Sequence, residues 1–224
     1  MRMMMKSLMA GAVATLATAA APGIADALPC GTTTLNNWLV AGFSCQVGTK
    51  TFSNFSYTPA GLFTTTVPAS AVTVGPAFTP DPGIGFVAGW VNPSTNTVAA
   101  DALFGFLVTD AAPNLIHDAE LLLSGASGPV TDVETFLTGI GGTTVPGSTP
   151  LTVTSASPTG TEIFAADRTS VFVLDNLSVL PGGLASDLEK QFSETAAPVP
   201  EPASLAILGI SLLGIGAAYR RRRN

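Results

Sequence analysis

Reactive side chains are scarce in this sequence. It holds one histidine, His117, and two cysteines, Cys30 and Cys45, in 224 residues. Two cysteines with no histidine near them make a poor zinc site, and no G-x-S-x-G elbow is present to pair with His117. Catalysis and a bound cofactor therefore have no sequence support, and a lone histidine on a strand reads as structural. Cations are scarce too. Over residues 28–197, Lys50, Arg168 and Lys190 stand against thirteen aspartates and glutamates, a formal charge of −10. A surface of that sign repels phosphate backbones, which excludes nucleic acid as a partner. The other six of the nine basic residues lie in the two end segments, where the long uncharged runs also lie.

The first of those segments, MRMMMKSLMAGAVATLATAAAPGIADA, sets Arg2 and Lys6 before a 14-residue apolar run, with small residues Ala25 and Ala27 at its end. That is the layout of a secretory signal peptide, residues 1–27, cut after Ala27. The run is shorter than the roughly 18 residues of a spanning helix. Cys30 follows Pro29, which argues against lipidation.

The last segment carries Pro200-Glu201-Pro202, then residues 203–219 without a charge, then Arg220, Arg221, Arg222 and Arg223. Seventeen helical residues reach about 25 Å, a short span. The arginines would stay on the cytoplasmic side. Prolines on both sides of Glu201 stop a helix from running upstream out of the membrane, because each lacks an N–H and constrains its predecessor. The segment AAPVPEP is therefore expected to be extended and accessible.

This ordered arrangement in residues 198–224 resembles the PEP-CTERM sorting signal of Gram-negative bacteria. The resemblance extends to GFSCQVGTKTFSNFSY near the start of the domain and VFVLDNLSVLPGG before its end. It implies an exosortase-type processing enzyme as partner, a transient single span in the inner membrane, and a final place at the cell surface or in an extracellular polysaccharide matrix. The role implied is structural or adhesive. A carbohydrate- or calcium-binding module and a permanently anchored surface protein are the alternatives.

Between the signals, residues 28–197 have the length of one domain. An even cysteine pair in an exported chain favours a Cys30–Cys45 disulfide. Short β-like runs divided by Gly, Pro, Asn and Asp predict a mostly β, sandwich-like or jelly-roll-like domain with one or two short helices, at 35–42 and 184–194. Residues 169–180 place Val171, Val173, Leu177 and Val179 on one face. Around His117, the same alternation places Leu115, Ala119, Leu121 and Leu123 inward, with His117 on that apolar face and Asp118 and Glu120 outward. Phe52 and Phe55, three apart, need a bulge to share a face. Asp118/Glu120 and Asp132/Glu134 read as solvated strand faces, with calcium ligation the functional alternative. Trp38, Trp90 and Tyr57 fit either the core or sugar stacking.

Overall fold

The structure, a computed structural model, describes residues 27–61, 67–78 and 80–196. Thirteen strands are found among them: β1 (Thr33–Thr34), β2 (Ser44–Val47), β3 (Lys50–Gly61), β4 (Thr73–Ala77), β5 (Gly83–Val91), β6 (Ala100–Asp110) and β7 (Asn114–Ser124), followed by β8 (Val130–Leu137), β9 (Leu151–Thr154), β10 (Thr159–Arg168), β11 (Ser170–Val179), β12 (Leu184–Gln191) and β13 (Glu194–Ala196). They form two antiparallel sheets, neither of them closed. One runs β1-β4-β5-β12-β7-β10, with β13 also on β7; the other runs β2-β3-β6-β11-β8-β9.

The inner faces meet through aromatic pairs. Phe86 of β5 lies 4.8 Å from Phe104 of β6, and Phe164 of β10 lies 5.2 Å from Phe136 of β8, ring centre to ring centre. Phe192, just past β12, packs against Phe52 and Phe106 of the facing sheet. Alternation supplies these faces. In β11, Val171, Val173, Leu177 and Val179 are all fully buried, as a period-two strand requires.

Three bulges break that alternation where the sequence spacing is three. Between Ser53 and Ser56 the register of β3 on β6 shifts, with Asn54 at φ 54°. Phe52 and Phe55 thereby both reach Phe106 in the core. In β12 the register shifts between Ala185 and Asp187, so Ala185 and Leu188 both point inward. This corrects the expected helix over 184–194. Its i, i+3 and i+4 apolar spacing belongs to a bulged strand paired with β5 and β7. In β7, Ile116 and Ala119 are both fully buried, so the inward parity changes between them. Leu115 and His117 are consequently not in the core, contrary to the unbroken alternation expected there. The other expected helix shrinks to α1 (Leu35–Trp38), which buries Leu35 and Trp38.

The start of the described chain is tied down beside the disulfide. Cys30 bonds Cys45 across 15 residues, and backbone hydrogen bonds join Leu28 and Cys30 to Gln46. Cys45 is 1% exposed. Closing a loop of 15 residues stabilises by about 3 kcal/mol in the chain-entropy model. A Cys30→Ala/Cys45→Ala variant is expected to lose about that much stability, measured as a lower urea midpoint with the slope little changed.

Candidate functional site

Pro200, Glu201, Pro202, the span 203–219 and the four arginines lie outside the described residues, as does Ala25. Ala27 is the first residue described. Among the described residues no helix is long and apolar enough to cross a membrane. What is described is the strand that leads into the P-E-P segment.

β13 adds to β7, with Glu194 opposite Ile116 and Ala196 opposite Asn114. Side chains fasten it on both sides. Glu194 accepts from Thr49 and from Lys50 Nζ, the latter at 3.3 Å. Thr195 donates to Asp167, whose other carboxylate oxygen lies 2.8 Å from His117 Nδ1. Just upstream, the Ser193 carbonyl accepts from the His117 amide and the Ser193 amide donates to Asp118. His117 thus has a partner and a structural duty. Its hydrogen bond to Asp167 raises its pKa, and the same bond, followed by that from Thr195, holds Asp167 below the usual carboxylate range.

The second constellation was not legible as such in the sequence. Asp132 and Glu134 do not lie on a solvated face; both are fully buried, because Val130 and Phe136 share their parity and face the core. Asp175 sits in the same register position as Glu134 on the neighbouring strand β11 and is 2% exposed. Lys190 reaches them from β12 on the facing sheet and is itself fully buried. Its Nζ donates to Asp132 Oδ2 at 2.9 Å. The same nitrogen stands 2.9 Å from Asp175 Oδ2, at ion-pair distance but without hydrogen-bond alignment. Both oxygens of Glu134 meet no donor.

Three carboxyls around one ammonium cannot all ionise cheaply in a dry interior. Burial, opposed by the Lys190 charge and reinforced by that of Asp132, pushes Glu134 up to about 7. Burial and the charge of Asp132 likewise raise Asp175. Burial works against the Lys190 ammonium, yet the charges of Asp132, Asp175 and Glu134 more than offset it. Burial thus pushes Glu134 and Asp175 toward their neutral forms, while Lys190 keeps its ammonium, hydrogen-bonded to Asp132.

The remaining candidates resolve as packing. Trp38 and Trp90 are 1% and 0% exposed. Trp38 stacks on Phe43, and Trp90 Nε1 donates to Tyr57, whose hydroxyl donates to the Val67 carbonyl. Among the described residues no group of three or more His, Cys, Asp and Glu side chains is placed to hold a metal ion. Asp118 and Glu120 do share a surface region, where burial, Asp81, Asp118 and Glu189 raise the pKa of Glu120.

Residues 198–223 match the family model of the PEP-CTERM protein-sorting motif. The chain carries a PEP-CTERM sorting signal. The match spans the P-E-P tripeptide, the apolar run and the arginines, and β13 ends two residues before it. No characterised protein matches the chain in sequence. Among solved structures it is similar to the enzymatically active domain of tailspike protein 4 of bacteriophage CBA120, at 15% identity and a TM-score of 0.33. That similarity covers 63% of this chain and 20% of the tailspike chain.

Glu134 makes stability depend on pH. Its folded pKa, about 7, exceeds its ordinary value of 4.5, so the folded state holds a proton that the unfolded chain has released. The contribution is fully present below the unfolded value and is lost as pH rises through about 7. Urea midpoints for the protein are expected to be higher at about pH 5 than at about pH 8. Glu134→Gln, which stays neutral, is expected to flatten that difference; an unchanged slope would contradict the assignment.

Proposed function

We propose that this chain is an exported, non-enzymatic component of the cell surface or extracellular polysaccharide matrix, with structural or adhesive work done by residues 28–197. The observation that carries this reading is the PEP-CTERM motif at residues 198–223. In it, Pro200, Glu201 and Pro202 mark the segment an exosortase-type enzyme processes, residues 203–219 hold the chain in the inner membrane meanwhile, and Arg220 to Arg223 set its direction. The Cys30–Cys45 disulfide suits an oxidising compartment outside the cytoplasm.

A second reading, a carbohydrate- or calcium-binding module, has one observation in its favour. Strands β5-β12-β7-β10 face β6-β11-β8-β9, and this is the strand order of a double Greek key jelly roll, a frame that lectins also use. Binding through the two tryptophans does not fit their burial. Saturable polysaccharide binding, measured with and without calcium, would favour this module over a purely structural part.

Intact-mass measurement on the surface-located protein tests the main reading. The mature form is expected to begin near Leu28 and to lack everything after the P-E-P segment. Retention of residues 203–224 in that form would leave a permanent anchor in place of a sorting signal.

A further inference from the structure

We propose that Lys190 and Asp175 become joined by a spontaneous amide bond, Nζ to Cγ, which ties the two sheets together covalently. The proposal is independent of the sorting reading and rests on the arrangement at the centre of the sandwich. The lysine nitrogen lies 2.9 Å from Asp175 Oδ2 without sharing a hydrogen bond with it, while it donates to Asp132 Oδ2 at 2.9 Å. One aspartate is thus placed to take a proton and the other to receive the nitrogen. Glu134 stands beside Asp175 on the next strand, with both oxygens buried and unpartnered.

The step balances without any further reagent. Asp132 takes one proton from the Lys190 ammonium and keeps it. The freed lone pair attacks Cγ of Asp175 in its protonated form, a C–N bond forms, and the C–O bond to the hydroxyl breaks. That hydroxyl leaves as water with a second proton from the nitrogen, relayed by Glu134. One amide and one water replace an amine and a carboxylic acid, with no change of oxidation state.

Three physical terms favour the reaction here. The lysine nitrogen is held 2.9 Å from a carboxyl oxygen of Asp175, and reactants fixed side by side gain the effective molarity of an intramolecular reaction. A dry site weakens the preference for the ion pair over neutral amine and acid, because both ions lose hydration. The next inward residues on the same strands, Val173, Leu177, Val130, Phe136 and Leu188, are all buried, so water that would reverse the bond is kept out. The product also removes a buried charge pair. Lys50 provides an internal contrast. It lies 3.6 Å from Asp110 Oδ2 and shares its charge with Glu194, whose side chain is 35% exposed; no bond is expected there.

Mass spectrometry of the denatured, reduced full chain tests this. The wild-type protein is expected to be lighter by one water than its processed sequence, and Lys190→Met, Asp175→Ala and Glu134→Gln are each expected to restore the full mass. Trypsin provides the location. Arg168 and Lys190 bound one tryptic segment that contains Asp175, so the linked protein resists cleavage after Lys190 and yields an internally bridged peptide lighter by one water. Full wild-type mass with normal cleavage after Lys190 would overturn the proposal, whatever the variants do. A bridge to Asp132, seen as two joined tryptic peptides, would overturn the assignment of the acceptor.

Discussion

Bringing an ammonium group out of water between two β-sheets is the costliest commitment this fold makes, and much of its interior is arranged around it. Lys190 projects from one sheet toward Asp132, Glu134 and Asp175 on the other, with no solvent exposure to relieve the charge. A buried pair of this kind contributes little net stability compared with apolar packing, but removing one partner costs about 3 to 5 kcal/mol. It also fixes the sheets relative to each other. A slip of one residue in β8, β11 or β12 would turn an acid or the lysine to the outside and place its neighbour, threonine, valine, leucine, asparagine or glutamate, in the core.

That register argument explains what was legible in the sequence and what was not. The period-two series of β11 runs through Asp175 between Val173 and Leu177, and that of β8 runs through Asp132 and Glu134 between Val130 and Phe136. Parity alone therefore pointed these acids inward. Hydropathy pointed them outward, and the opposite face of β8, with Thr131, Val133, Thr135 and Leu137, is not polar enough to decide. The partner that settles the matter is 58 residues away on the other sheet. No local pattern announces a lysine at that distance.

Bulges account for most of the other differences. A bulge converts a spacing of two into a spacing of three while leaving the strand paired, so Ala185 and Leu188 mimic one helical face. Phe52 and Phe55 carry the same spacing, but the strong β character of their neighbours made the bulge foreseeable. The unbroken alternation around His117 gave no such warning, and the histidine leaves the core for Asp167. By contrast the sorting signal was legible throughout. It is a linear element whose parts act in order along the chain, so no tertiary contact is needed to recognise it.

The two constellations together decide the outer electrostatics. Lys50 and Lys190 are the only lysines among the described residues, and both are fully buried in ion pairs. Among the described residues Arg168 and His117 are left as the side-chain bases near the surface. A polyanionic matrix would be repelled by such a surface unless cations bridged the two. A neutral polysaccharide meets no such barrier, and the threonines and serines that line the outward faces of the strands offer it hydroxyl donors and acceptors. The charge that holds the sheets together inside is thus unavailable for adhesion outside. The proposed adhesion would work through hydroxyl groups, exposed apolar side chains such as Leu103 and Leu174, or bridging ions.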